Sequence, residues 1–518
     1  MTEEFTCLPR KYGDVLEHYL GKYPSARIGE PAIEKFLTFK EFQNASRFVA
    51  KCMRNELLNP KDIVHFIGSN SLSLGVCYCS IAMNEWIPVG SNSTTPKEEL
   101  QSNISNTFSK GLVISKSLWE KFGRNIKSKS LKIIFIYELV NVNDFEIQIT
   151  QVPVNSTNSK TLDPNENLSN VSFMFMTSGS TGTPKSIKID HTRFMSKVCL
   201  GEFISSGPVF KKIYINCQPF SNISATMLFL MSFTTGQEML FVESFNEKNF
   251  LDVFTEYNCN YIFAPPAIIH SLSKYENLHN YDLSNLRQIT CGGSKLNKES
   301  VRILKERSKI TDRTIFSEGY GSSESGPNFF SVTSINNIDD GFPLKNDLIE
   351  AKIVDPQTKA ETLSGEEGEL WIRSSGLMLG YLNDDIKTKA ALTDDGWYRS
   401  GDLGYIKKGR LHISGRIKEV IKYRSFFVHA SELERVFFTH PAVKSAGVVA
   451  EPHEEHGEIP VAFVVKKSGV SSDELIRFIA ERVSEYKQIR KVYFLEKMPH
   501  NSGNKIDRTT LQKYLKQK

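Results

Sequence analysis

The stretch MTSGSTGTPKSIKIDH, residues 176–191, gathers the hydroxyls of Thr177, Ser178, Ser180 and Thr181, the amides of Gly179 and Gly182, and the Lys185 ammonium. So many donors in so short a space suit a polyphosphate. The Walker A loop, G-x-x-x-x-G-K-[ST], puts glycine directly before its lysine so that backbone amides can wrap the phosphates. Here Pro184 stands in that place, with a fixed φ and no amide hydrogen to give. The apolar run VSFMFM from Val171 predicts a buried strand feeding a turn at this point. A Ser/Gly surface linker is the plainer reading of such clusters. A lysine set behind a buried strand and a proline-stiffened turn weighs against it.

The 518 residues suffice for about three average domains. Hydrophobic residues at 40% and charged residues at 24% are ordinary for a globular protein. A net charge of +5, without long basic runs, suits a small anionic ligand and gives no ground for nucleic acid as a partner. The eight cysteines form no C-x-x-C pair; free thiols in a reducing compartment fit them better than disulfides or zinc. The opening MTEEFTCLPRKYGDVLEHYL lacks the apolar core of a secretory signal, and the terminal YLKQK is not a peroxisomal S-K-L address. The expected location is therefore cytoplasmic. Ser69–Val89 is the least charged stretch, but Asn70, Asn84 and Glu85 within it favour a buried helix and strand over a transmembrane span.

Working outward, apolar runs alternate with amphipathic segments through the first two-thirds: DIVHFIG, KIIFIYELV, KIYINCQPF, EMLFVES, CNYIFAPPAIIHSL and LRQITCGG. Such alternation predicts an α/β architecture with largely parallel sheets. From Ile349 the texture changes to period two, in IEAKIVD and GELWIRSSG, which predicts a smaller antiparallel sheet or barrel. The last hundred residues read as a compact α+β unit.

Five later stretches share the character of the first. CGGSKL at Cys291 puts two glycines after a strand, where a backbone can approach something flat. EGYGSSES at Glu318 offers an aromatic ring, the Ser322 and Ser323 hydroxyls and the Glu324 carboxylate, a set able to stack a base, bind a phosphate and hold magnesium. GWYRSGDLGY presents Asp402, a carboxylate able to accept two ribose hydroxyls, while GRIKEVIK and SGNKIDR supply the cations Arg416 and Lys505. Each alone has a plain structural reading: Tyr320 as packing, Asp402 as a turn residue, Lys505 as a solvated charge.

In their order, TSGSTGTPK, GYGSSE, YRSGDLG, GRIKE and NKIDR make the chain resemble the adenylate-forming (AMP-binding) superfamily of acyl-CoA ligases, beetle luciferases and nonribosomal-peptide adenylation domains. The resemblance runs from LTFKEFQNASRFVAK at Leu37 to the end. It implies a large N-terminal domain, residues 1–414, of two parallel α/β subdomains plus a small β-barrel. A mobile α+β domain, residues 415–518, would follow a hinge at Lys418. It further implies that Thr177–Lys185 cradles the ATP phosphates and that Gly293 and Ser294 border the adenine, with Tyr320 stacked on it beside Gly321. Ser323 would touch the α-phosphate, Glu324 would ligate Mg2+, and Asp402 would hold the ribose with Arg416 assisting. Lys505 would bridge the substrate carboxylate and the α-phosphate, with Lys422 the second candidate catalytic lysine. Asn222 and Gly292 would line the acyl pocket.

The implied activity is ATP-dependent conversion of a fatty, aromatic or other carboxylic acid to an acyl-adenylate, then transfer to coenzyme A as co-substrate. Delivery to a carrier protein, luciferase-like oxidation, and a non-enzymatic nucleotide-binding relative are the alternatives. The sequence departs from the family pattern at Ser186 (usually glycine), Asn222 (usually histidine or an aromatic), Ser425 (usually glycine) and Ala430 (usually proline). The last two lie in the loop that approaches pantetheine, so they bear on the second half-reaction more than the first.

Overall fold

A computed structural model describes residues 11–154, 167–177, 185–195, 211–293, 296, 298–335, 341–344, 349–424, 426–500 and 506–517, apart from the side chains of residues 327, 330, 334 and 427. Ser178, Gly179, Ser180, Thr181, Gly182, Ser294, Ser425 and Lys505 lie outside the described residues. The chain forms two compact units, one built from Met1–Thr177, Pro184–Asp339 and Ser374–Ala390, the other chiefly from Asp340–Arg373 and Ala391–Lys518.

The first unit has the expected α/β character. Its eight-stranded sheet runs in the order Gly326–Ser334, Ile315–Ser322, Gln288–Gly292, Tyr261–Ala264, Ile213–Asn216, Glu238–Phe241, Arg27–Glu30, Lys35–Thr38. Pairing is parallel throughout except at the two edges. A five-stranded sheet, Ile87–Asn92, Ile63–Gly68, Gly111–Ser115, Ile133–Asn141 and Glu146–Pro153, is parallel with one antiparallel edge. Its central strands are buried along nearly their whole length, which is why they read as continuous apolar runs. The helix Leu72–Met83 is apolar all round because it touches strands of both sheets.

The apolar run ahead of the phosphate loop is the expected buried strand, and a second strand follows the loop. Phe173–Thr177 and Lys185–Ile189 form an antiparallel hairpin with Thr177 opposite Lys185, and Gly380–Tyr381 adds a third strand. The alternation in KSIKI carried that signal, with Ile187 and Ile189 buried on one face. The segment GYGS is likewise strand, so Tyr320 sits on the strand next to the edge, opposite Phe329 on the edge strand.

In the second unit, strands Phe342–Pro343, Arg410–Arg416, Tyr398–Lys407, Gly368–Ser374 and Ile349–Val354 make the small sheet foreseen from Ile349 onward. A second five-stranded sheet centres on Gly457–Lys466 between Val420–Tyr423 and Val443–His453. The helices Ala430–Phe438 and Arg508–Leu515 pack on it through Leu433, Phe437 and Leu511, all fully buried. A Cβ at Gly447 would fall 2.6 Å from Leu511 Cδ1, so a larger residue there would have to displace that side chain of the last helix.

Candidate functional site

In the first unit the hairpin end and the GYGSSE turn are tied together by the segment 378–382. The Met378 amide donates to the Glu324 carbonyl at 2.8 Å, and the Leu379 and Leu382 amides donate to Lys188 and Ser186 on the hairpin, each at 2.9 Å. Tyr381 then reaches both charged groups. Its hydroxyl donates to Glu324 Oε1 at 3.0 Å, and the Lys185 ammonium lies 4.6 Å from its ring centroid. Burial, with the Glu324 charge beside it, pushes the Tyr381 phenol well above its ordinary pKa. The ring thus contacts a cation and a carboxylate, and the Asp384 charge acts on both Tyr381 and Lys185.

The turn that presents Ser323 and Glu324 is held from within. Ser322 and Ser325 exchange hydroxyl and amide hydrogen bonds at 2.9–3.2 Å, and Asn328 donates to Ser325 Oγ at 2.7 Å. Ser325 and Asn328 are buried. Such a closed polar network fixes a turn without needing an apolar core. Beside it, Gly292 pairs with Gly319, and a Cβ on Gly292 would meet the Gly319 carbonyl at 2.9 Å. Gly293 has φ +87° and open space where a Cβ would stand. That face is shaped for the backbone to meet a flat group. Tyr320 lies 6.2 Å from Phe329, ring to ring, next to a bulge at Gly321.

Asn222 precedes the helix Ile223–Thr235 and is half-buried; its side chain does not cap that helix. The loop leading to it is clamped by Asn70, which donates to the Gln218 carbonyl at 2.6 Å and accepts from the Phe220 amide at 3.0 Å. Phe220 anchors the same loop in a cluster with Phe229, 4.9 Å away, and Tyr78, 5.1 Å away.

In the second unit Asp402 faces Arg416 across the antiparallel pair, Arg416 Nε lying 3.1 Å from Asp402 Oδ1. The Asp402 carboxylate is 9% exposed and the arginine side chain 50%, so the acid is fixed and the cation is at the rim. The backbone beneath is pinned twice: Gly401 N donates to Glu369 Oε1 at 3.2 Å, and Asp402 N to Ser400 Oγ at 3.0 Å. Glu369 is itself oriented by the Trp371 indole at 3.0 Å.

Lys418 lies exposed in the one-turn segment Ile417–Glu419. Lys422 is exposed on Val420–Tyr423, its amide held by Glu458 at 2.7 Å. Arg508 bonds both oxygens of the buried Glu434 at 2.7 and 2.8 Å and lies 3.3 Å from Glu419 in the Lys418 turn. Ala430 opens the helix Ala430–Phe438 and is buried.

Sequence reasoning missed Tyr381, Ser325, Asn328, Glu369 and Asn70. None carries a motif signal by itself, because each acts by holding a neighbour that does. Only the G-Y pair at Gly380, following an apolar run and preceding the acidic Asp384, offered a hint.

Among the described residues no group of three or more His, Cys, Asp or Glu could hold a metal ion unaided. Magnesium in phosphate chemistry takes one or two carboxylates, with substrate oxygens and water completing its octahedron. Glu324, an oriented and half-buried carboxylate, fits that requirement. No helix among the described residues is long and apolar enough to cross a membrane.

Residues 21–382 match the family described as AMP-binding enzyme, and residues 432–505 match its C-terminal domain. A 4-coumarate–CoA ligase of Pinus taeda is 33% identical over 350 residues, 65% of this chain and 64% of that protein. The matched region thus spans somewhat less than two-thirds of that relative. A 4-coumarate–CoA ligase-like protein of Arabidopsis thaliana is 28% identical over 491 residues, covering 92% of this chain and 84% of its own. An amide bond synthetase from Marinactinospora thermotolerans shares the fold with a TM-score of 0.80 at 20% identity, over 97% of this chain and 99% of that one.

Proposed function

The chain belongs to the family of AMP-binding enzymes, and on that premise we propose that it is an acid–thiol ligase. It joins a carboxylic acid to AMP and passes the acyl group to coenzyme A. In the first half-reaction a carboxylate oxygen attacks the α-phosphorus of ATP, a C(O)O–P bond forms, and the bond to pyrophosphate breaks. In the second the thiol of coenzyme A, its proton lost to solvent or base, attacks the acyl carbon and AMP leaves.

The reading is carried by the placement of the Lys185 ammonium and the Glu324 carboxylate about Tyr381, at the end of the phosphate hairpin. Lys185 and the hydroxyl-rich segment before it bind the terminal phosphates, and Ser323 meets the α-phosphate. Asp402 accepts the ribose hydroxyls, with Arg416 at the rim. Glu324 holds magnesium, which would neutralise charge on the phosphate oxygens when bound with ATP. Gly293 and Tyr320 take the adenine. Asn222 and Gly292 border the acyl group. Lys505 brings two anions together and stabilises the charge that develops between them, and Lys422 serves the same domain as a second cation. We place the domain division between residues 414 and 415 and the hinge near Lys418, in the one-turn segment Ile417–Glu419, although the sheets on either side of it belong to the same compact unit. The cytoplasm is the proposed compartment, since the six described cysteines are free thiols.

The test is acid-dependent exchange of labelled pyrophosphate into ATP over a panel of fatty, aromatic and short-chain acids, with and without coenzyme A. Exchange with one acid class, and a thioester only when coenzyme A is present, is the expected result. Exchange without thioester would assign a different acceptor. Absence of exchange with every acid would overturn the reading.

A further inference from the structure

We infer that Tyr381 is a positioning residue for nucleotide activation, holding the Glu324 carboxylate by its hydroxyl and the Lys185 ammonium by its ring. The inference rests on the function proposed above and adds a residue that none of the sequence motifs contains.

The orientation of Tyr381 is set by its surroundings on every side. The side chain is 5% exposed. Its amide donates to Thr388 Oγ1 at 2.9 Å, and Gly380 before it has φ +130°, with Thr388 Cγ2 only 2.8 Å from where a Cβ would stand. A side chain at 380 would therefore be strained by that φ and would crowd Thr388, which holds the Tyr381 amide. The neighbouring amides bind the Lys185 strand on one side and the Glu324 carbonyl on the other.

The chemistry of a phenol suits the task. A phenolic O–H donating to one carboxylate oxygen fixes the plane of that carboxylate and leaves lone pairs for a divalent cation, as partners behind metal ligands generally do. The face of the same ring attracts an ammonium through its quadrupole rather than through a hydrogen bond, and Asp384 also feels the Lys185 charge. A direct ion pair between Lys185 and Glu324 would instead spend both charges on each other. One neutral side chain thus contacts both the Glu324 carboxylate and the Lys185 ammonium.

Two variants separate the two contacts. Tyr381→Phe keeps the ring and loses the hydroxyl; Tyr381→Leu loses both. Mn2+ binding in the presence of ATP, read by electron paramagnetic resonance, reports on the Glu324 side. ATP binding in EDTA, read by calorimetry, reports on the Lys185 side. In Tyr381→Phe the Mn2+ affinity should fall by about 10-fold while metal-free ATP binding stays within about 2-fold. In Tyr381→Leu metal-free ATP binding should also weaken, by roughly 2- to 5-fold.

Wild-type Mn2+ affinity in Tyr381→Phe would overturn the inference. Equal weakening of both measurements in that variant would overturn it too, since lost packing rather than a lost hydroxyl would then be the cause. Glu324→Gln serves as the control. If it weakens Mn2+ binding while Tyr381→Phe does not, the positioning role fails and the proposed function stands. If Glu324→Gln leaves Mn2+ binding unchanged, the magnesium role of Glu324 fails, and the Tyr381 role with it.

Discussion

Asp402 and Arg416 stand directly opposite each other on adjacent antiparallel strands, with Nε and Oδ1 3.1 Å apart, the acid buried and the arginine half in solvent. The asymmetry assigns different work to the two. A half-exposed guanidinium contributes little by charge alone. A buried carboxylate with its backbone pinned by Glu369 and Ser400 is held ready to accept hydrogen bonds.

Asp402→Asn should therefore raise the KM for ATP by roughly 10- to 100-fold, the loss of one or two hydrogen bonds to a charged acceptor. Arg416→Met should change it by no more than about 5-fold, the scale of an exposed pair. Substituting 2′-deoxy-ATP for ATP sharpens the comparison: its disadvantage in the wild type should shrink in Asp402→Asn. An unchanged KM in Asp402→Asn would remove the residue from the ribose site.

The strands and their class were legible because both parallel sheets bury whole strands, leaving apolar runs such as DIVHFIG that no other element explains. The order of the motifs was legible because the chemistry needs particular residue types. The hairpin at Thr177–Lys185 was harder to see. KSIKI alternates, but its lysines mask the period, and Lys188 is buried in spite of its charge. Tyr381 was invisible for another reason. Its role depends on strand 380–381 pairing with residues nearly two hundred positions earlier, and nothing local in the sequence records that register.

Glu434 gives a pH signature to the second unit. Burial pushes its carboxyl up to about 7 against the downward pull of Arg508. The folded chain thus keeps a proton that the unfolded chain releases near pH 4.3. Stability from this group is fully present below the unfolded pKa and is lost as pH rises through about 7. Glu434→Gln should remove that slope, so that urea midpoints of variant and wild type diverge between about pH 4 and pH 7, the range in which the difference titrates. Parallel curves would show that Arg508 keeps the glutamate ionised throughout.

Arg508 makes the complementary prediction. Arg508→Met removes the partner from a buried carboxylate and should destabilise by up to about 3–5 kcal/mol at pH 8, where Glu434 is ionised, and by less at pH 5, where it is protonated. Chemical denaturation at pH 5 and pH 8 checks both the size and the direction. A loss below about 1 kcal/mol at pH 8 would mean that the pair adds no more than an exposed ion pair does.

Asn222 stands at the start of a helix without capping it, on a loop fixed by Asn70 and Phe220. A side chain in that position is free to serve the acyl pocket. Asn222→His or Asn222→Phe should reorder the acids accepted, with single-group changes worth about 10- to 200-fold in kcat/KM, and leave the KM for ATP nearly constant. The same ranking of acids in both variants would take Asn222 out of the pocket.

The central claim is that one chain runs two half-reactions and that Lys505 serves only the first. On the proposed function its charge is needed only while carboxylate and α-phosphate are brought together, and a presynthesised acyl-adenylate bypasses that step. The deciding measurement compares wild type and Lys505→Ala in pyrophosphate exchange and in transfer from supplied acyl-adenylate to coenzyme A. Exchange should fall by roughly 10²–10³-fold, the cost of losing one preorganised group at a developing charge, while transfer stays near the wild-type rate. Lys418→Pro, which stiffens the hinge, should keep exchange and slow transfer. Equal loss of both half-reactions in Lys505→Ala, with an unchanged thermal melt, would contradict the account.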